Sequence, residues 1–178
     1  MERIVYYLRE GEKCAVTNGK PMLNVIQFST STETVKTRLL RYNEQRCLAY
    51  LAVLNGSKGI FFYNGSNWCE PKNEHLVSIS EELGKLAPML LGYERQERIK
   101  TDTKEIEAKY FEYEGNIWIV CANSSSRELK GAELNLGRLL SDNCEASPVF
   151  NGDKMRIQNG KIKLDFPPYG CFVYKVVK

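Results

Sequence analysis

Along the first ninety residues the apolar positions switch between helical and strand-like spacing. Residues 2–10, "ERIVYYLRE", suit a short helix ending near Gly11. Lys20-Pro21 imposes an extended backbone, and Met22 to Phe28 is a compact apolar strand. "TSTETVKTRLLRY" is polar and reads as a loop with room for a helical turn. From Asn43 the pattern changes: Cys47, Leu48, Tyr50, Leu51, Ala52 and Leu54 are apolar over several turns, so little of this helix can face water. Asn43 fits the N-cap, although Arg46 stands where a capping box prefers Glu or Gln. Asn55-Gly56 supplies a left-handed stop.

Gly59 to Tyr63 is a second strand, and its near-continuous apolar run predicts a parallel strand covered on both faces. A loop runs from Asn64 to Asn73. "EHLVSISEELGKLAPMLLG" then predicts a helix with Leu76, Ile79, Leu83 and Leu86 on one stripe, closed by Pro88 and ended by Gly92. Residues 1–92 therefore read helix, strand, helix, strand, helix.

After Gly92 the period drops to two. "EIEAKYFEYEGNIWIVCANSSS" predicts a hairpin: a strand over 105–113, a turn at Glu114-Gly115-Asn116 and a strand over 117–122. Ile117, Ile119 and Cys121 alternate there with Trp118, Val120 and Ala122. "AELNL", "SPVF", "DKMRIQNGKIKLDF" and "CFVYKVV" add short strands punctuated by Asn151-Gly152, Asn159-Gly160 and Pro167-Pro168. Close-spaced short strands predict an antiparallel β-sandwich. The boundary falls near residues 92–97, giving a first domain over 1–92 and a second over 93–178.

Composition narrows the function classes. The 178 residues carry a net charge of only +3, with 43% hydrophobic and 26% charged residues. No basic stripe marks a nucleic-acid binder, and no apolar run reaches the ~18 residues of a membrane span. "MERIVYYLREGEKC" lacks the apolar core of a signal peptide, so a soluble chain is expected. The cysteines at 14, 47, 69, 121, 144 and 171 show no C-x-x-C spacing, and His75 is the one histidine, which argues against a zinc site. Buried free thiols are expected; for an exported chain a Cys121–Cys171 disulfide is the alternative. Gly56-Ser57-Lys58-Gly59 follows a helix and precedes a strand, the reverse of a phosphate loop, and no cofactor is implied. Asn55, Asn64 and Asn123 each begin an N-x-S/T pattern.

The order of these elements resembles the C-terminal end of a (β/α)8-barrel glycoside hydrolase with its appended β-sandwich. "KPMLNVIQFS" resembles the seventh barrel strand. "NEQRCLAYLAVLNGSKGIFFYNG" resembles the following helix and the eighth strand, with the rhythm Ala52, Gly56, Gly59, Ile60, Phe62, Tyr63. "HLVSISEELGKLAPML" resembles the last barrel helix, and "KIKLDFPPYGCFVYKV" the closing strands of such sandwiches. The fold class implied is α/β plus all-β, a partial barrel followed by an antiparallel sandwich.

That resemblance carries its own deficit. A barrel takes ~250 residues and eight strands, and only two barrel strands are found here. Glycosidases generally use two carboxyl groups; in many retaining barrel hydrolases one is a Glu at the end of the fourth strand and the other a Glu at the end of the seventh. The fourth strand is missing, and Gln27 holds the comparable place on the seventh. Glu33 and Glu70 are loop acids with weaker claims. What the resemblance leaves is a sugar-binding rim of Gln27, Tyr63, Asn64, Asn67 and Trp68, where an indole offers a flat apolar plate and Asn both donates and accepts. The expected partners are carbohydrate and, at the open strand edges, the rest of a barrel or a second copy. The chain is expected to be catalytically incomplete.

Two other readings stay open. A non-catalytic carbohydrate-binding module would need exposed aromatics on one sandwich face, with Tyr110, Phe111 and Tyr113 as candidates, although Phe111 and Tyr113 share the parity expected of the core. A structural or interaction module would use the strand edges alone. Trp118, Tyr50 and Tyr169 are expected to be structural, and His75 a surface helix residue.

Overall fold

A computed structural model describes residues 1–27, 29–32, 35–63, 71–92, 95–137, 139–140, 144–150 and 152–177, with residues 2, 27, 29–32, 35–39 and 71–73 described by backbone alone. The chain divides into two compact units, Arg3–Leu90 and Leu91–Lys178, the latter joined by Met1–Glu2.

In the first unit, helix α1 (Glu2–Thr17) runs on through Gly11, beyond the short helix expected. Gly11 costs helix propensity, but a Cβ there would lie 2.8 Å from Met22 Sδ, so the glycine allows close approach to the next strand. α1 ends at Asn18-Gly19, where Gly19 has φ 60 and Asn18 Nδ2 donates to the Cys14 carbonyl at 2.8 Å. Strand β1 (Met22–Gln27) follows, then β2 (Ser29–Thr32) and β3 (Val35–Leu39), which pair antiparallel where a polar loop was expected. Thr30, Thr32, Val35 and Thr37 are β-branched, and that preference for extended backbone outweighs the polarity that suggested a loop.

Helix α2 (Tyr42–Leu54) starts one residue before the expected Asn43 cap. The Arg41 backbone N–H donates to Glu44 Oε2 at 2.8 Å, so the carboxylate three residues in supplies the cap. Cys47 through Leu54 are all buried, as the unbroken apolar pattern predicts. Asn55 closes the helix by donating Nδ2 to the Leu51 carbonyl at 2.8 Å. Strand β4 (Ser57–Tyr63) then returns parallel to β1, with Leu23 opposite Gly59, Val25 opposite Phe61 and Gln27 opposite Tyr63. α2 packs on both strands.

Helix α3 (Pro71–Leu91) begins with a proline, whose missing N–H costs nothing at a first helical position. Pro88 lies inside the helix rather than closing it. Burial of Leu86 (1% exposed) and Met89 (4%) holds the last turn together on both sides of the proline. A polar clamp joins α2 to α3: Arg46 Nε donates to Glu82 Oε2 at 2.8 Å, and Arg46 Nη2 and Tyr50 Oη both donate to Glu82 Oε1. The Arg46 guanidinium lies 4.7 Å from the Tyr50 ring centre. Tyr50 is thus structural, and His75 is partnered rather than free on the surface, its Nδ1 3.2 Å from Gln45 Oε1.

The second unit is antiparallel β. Strands β5 (Gln96–Arg98), β6 (Lys100–Thr101), β7 (Ile106–Tyr113), β8 (Asn116–Asn123), β9 (Leu129–Asn135), β10 (Glu145–Pro148), β11 (Met155–Arg156), β12 (Lys161–Phe166) and β13 (Cys171–Val177) form two sheets. One has the order β11-β10-β13-β8-β7-β5 and the other β12-β9-β6. The expected hairpin is β7–β8, turned by Glu114 (φ 49) and Gly115 (φ 71), the pair of left-handed residues a tight hairpin requires. Side chains of both sheets share one core, among them Ile106, Tyr110, Ile117, Ile119, Leu134, Leu164, Phe166 and Tyr174. Gly160 is obligatory at its turn: it has φ 67, and a Cβ would meet the Gly137 carbonyl oxygen at 2.1 Å.

Several expectations need correcting here. Cys121 lies opposite Phe172 and Cys171 opposite Ala122, so alternation points the two thiols to opposite faces, and no disulfide joins them. Cys14 is exposed, unlike the buried Cys47, Cys121 and Cys171; Cys69 lies outside the described residues. Trp118 is not in the common core but half-buried on the other face, with its Nε1 buried and unpartnered and Lys175 Nζ 5.3 Å from the ring centre. Tyr110 (5% exposed) is in the core and Phe111 (3%) is buried opposite, so neither offers the exposed aromatic face a binding module would need. Asn55 and Asn123 are fully buried and cannot accept a glycan; Asn123 Nδ2 donates to the carbonyls of Arg127 at 2.8 Å and Pro167 at 3.0 Å.

Candidate functional site

The candidate rim lies where β1 and β4 end together. Gln27 and Tyr63 are register partners, so the parallel pairing brings two of the five predicted residues side by side. Tyr63 is 59% exposed. Asn64, Asn67 and Trp68 lie outside the described residues, as do Glu33 and Glu70.

No residue of β1 or β4 is a carboxylate. In the flanking helices Glu44 caps α2, and Glu82 is held by Arg46 and Tyr50. Neither acid belongs to an opposed, solvent-accessible pair of the kind glycosidic cleavage uses. Among the described residues no group of three or more His, Cys, Asp and Glu is placed to hold a metal ion. No helix among them is long and apolar enough to cross a membrane.

A second polar group sits at the N-terminal turns of α2 and α3. The Tyr42 hydroxyl is 3.2 Å from Ser78 Oγ, and the Tyr42 and His75 rings are 5.2 Å apart. Gln45, whose Nε2 donates to the Leu40 carbonyl at 3.0 Å, ties this group to the start of α2. These contacts join the first turns of α2 to α3.

Sequence reading missed the open face of the β1–β4 pair. Leu23, Val25, Phe61 and Tyr63 are 57%, 65%, 59% and 59% exposed, whereas Ile26, on the alternate face, is 7% exposed. The expectation of cover on both faces is therefore not met. Parity groups these residues, since Leu23 and Val25, like Phe61 and Tyr63, are two apart and share a face, but it carries no signal of whether that face is covered.

No family model matches the sequence, and no curated protein matches it. Solved structures do match. A maltogenic α-amylase from Thermotoga neapolitana aligns over 99% of this chain and 48% of its own, at 10% identity and a TM-score of 0.66. A β-L-arabinopyranosidase from Geobacillus stearothermophilus aligns over 100% and 43%, at 12% identity and a TM-score of 0.65. An Anoxybacillus α-amylase aligns over 99% and 45%, at 13% identity and a TM-score of 0.60. The chain thus has the fold of part of a glycoside hydrolase and spans less than half the length of these structures.

Proposed function

We propose that this chain is the C-terminal portion of a carbohydrate-active barrel protein. In this reading β1 and β4 are two adjacent strands of a (β/α)8 barrel, α1, α2 and α3 are its outer helices, and the second unit is an accessory β-sandwich. Gln27, Tyr63, Asn64, Asn67 and Trp68 contribute part of a sugar-binding rim. The observation that carries the reading is the parallel register that ends in the Gln27–Tyr63 pair, since ligands of barrels gather at the C-terminal ends of the strands. The fold shared with the amylases and the arabinopyranosidase supports it.

The same residues make the portion non-catalytic alone. Gln27 cannot act as a nucleophile or as a proton donor of carboxyl strength, and neither strand supplies an acid. What remains is hydrogen bonding and ring stacking. The test is a titration of the purified chain with a panel of oligosaccharides beside assays on aryl glycosides. Millimolar binding lost in Tyr63→Ala and Trp68→Ala, without turnover, is expected. Turnover by the chain alone would contradict the reading, as would binding that survives both substitutions.

A further inference from the structure

We propose that a polar cleft at one end of the second unit binds a free α-amino acid, with Glu105 holding its ammonium and Arg127 its carboxylate. The cleft is walled by Glu105, Ser124, Ser125, Ser126, Arg127 and Tyr169, with Met1 completing the lining, and has a volume of about 230 Å3. All of these residues belong to the second unit, so the inference goes beyond the carbohydrate reading and does not rest on it.

The walls are fixed before any ligand arrives. Asn123, fully buried at the end of β8, donates both amide hydrogens, to the Arg127 carbonyl at 2.8 Å and the Pro167 carbonyl at 3.0 Å. Its Oδ1 accepts from the Ser125 N–H at 2.9 Å and the Ser125 hydroxyl at 2.8 Å. The Tyr169 N–H donates to the Ser125 carbonyl at 3.0 Å, which ties the two loops together. Tyr169 itself has φ 57. The Gly170 N–H donates to the Pro167 carbonyl at 2.9 Å, closing a β-turn with Pro168 second and Tyr169 third. A type II turn gives that third position to Gly or Asn. Strain of this kind in a bulky residue persists where the surroundings hold it, and it gathers at ligand sites. Here the strained residue is part of the cleft wall.

The groups left facing the cleft select the ligand. The Glu105 side chain is only 11% exposed, and its Oε1 accepts from Arg127 Nη2 at 2.9 Å, while its Oε2 accepts nothing among the described residues. Arg127 is 71% exposed, so most of its five N–H donors stay available. The Ser124 hydroxyl donates its proton to the Glu105 carbonyl at 2.9 Å and the Ser125 hydroxyl donates to Asn123, so toward a ligand both act as acceptors. Ser126, next in the chain to Arg127, adds a hydroxyl that can donate or accept.

An ammonium suits Glu105 Oε2 and the Ser124 oxygen, and a carboxylate suits the guanidinium, which binds such groups through paired N–H bonds. A simple anion would meet Glu105 uncompensated, and a simple cation would meet Arg127. A neutral sugar matches neither charge. Glu105 and Arg127 are in direct contact, so the two charges of the ligand must be adjacent as well, which selects an α-amino acid over one with a longer spacer. The volume lies below the ~300 Å3 at which pockets for drug-sized molecules begin, so one small molecule fills it.

The test titrates the full 178-residue chain with glycine, L-leucine and L-phenylalanine and follows its backbone amide resonances. Saturable millimolar binding is expected, with shifts gathered at Glu105, Ser124 to Arg127 and Tyr169. Glu105→Gln keeps the shape and removes the charge, and should weaken binding at least tenfold. Ser126→Ala, on an exposed loop position, should weaken it severalfold and decides the matter if Glu105→Gln does not fold. Acetate, methylammonium, δ-aminovaleric acid and glucose should each bind at least tenfold more weakly than the α-amino acids. No shifts from the amino acids, an equal response to any of the four controls, or full affinity in a folded Glu105→Gln or Ser126→Ala chain would each overturn the inference.

Discussion

The two units treat their apolar side chains differently. In Leu91–Lys178 most large hydrophobics turn into the core between the two sheets, and only Leu91 and Val177 stand exposed among those described. In Arg3–Leu90 the same residue types appear in quantity, yet Ile4, Tyr6, Tyr7, Val16, Leu23, Val25, Phe61, Tyr63 and Val77 are 41% to 76% exposed. Scattered exposed apolar residues are ordinary. Four on one face of a two-stranded parallel sheet form an exposed apolar patch. The second unit builds one core between its two sheets, and the first leaves one face of its parallel pair exposed among the described residues.

The largest effect should come from breaking the closed unit. Phe166 is fully buried between the sheets and 5.3 Å from the Phe172 ring. Phe166→Ala should cost about 4 kcal/mol, read as a lowered urea midpoint in circular dichroism. Next is the clamp of the open unit. Glu82→Ala removes the carboxylate shared by Arg46 and Tyr50, whose side-chain surroundings leave Arg46 and Glu82 only 14% and 10% exposed. The loss should be about 3 kcal/mol, seen as faster hydrogen exchange in α2 and α3 with β7 and β8 unchanged.

A pH series sharpens the contrast further. Burial pushes the Tyr174 phenol up to about 12, from an ordinary value near 10. The protonated phenol is favoured in the folded unit, so this stabilisation is full below pH ~10 and lost as pH rises toward 12. Burial raises the Cys121 thiol in the same sense. The melting temperature should therefore fall between pH 10 and 12, and Tyr174→Phe should flatten that fall. Smallest in stability is a change to the open face: Val25→Lys with Phe61→Lys should alter folding by less than about 0.5 kcal/mol while sharply reducing fluorescence of a bound hydrophobic dye.

Periodicity made much of this legible. The apolar run of α2, the β7–β8 hairpin and the left-handed Asn159-Gly160 turn are local in origin, and local pattern found them. What escaped was tertiary. Gly11 looked like a stop, but the helix runs through it with the Met22 side chain packed close; Pro88 looked like an end, but buried neighbours carry the helix past it. The polar stretch of β2 and β3 paired as strands because β-branched residues favour extended backbone whatever their polarity. An apolar strand such as Gly59–Tyr63 cannot reveal whether its second face has a cover, because that depends on residues outside the pattern. Of the candidate site, the Gln27–Tyr63 pairing is on view, and Asn64, Asn67 and Trp68 remain part of the proposal.

Hydrogen exchange across the whole chain tests the central contrast most directly. Strands β7, β8 and β13 should exchange only through global opening of their unit, and the amides of β1 and β4 on the order of a hundredfold faster. Equal protection in β1, β4 and β8 would contradict the account, since it would mean that the half-exposed parallel pair is held as firmly as the core sheet.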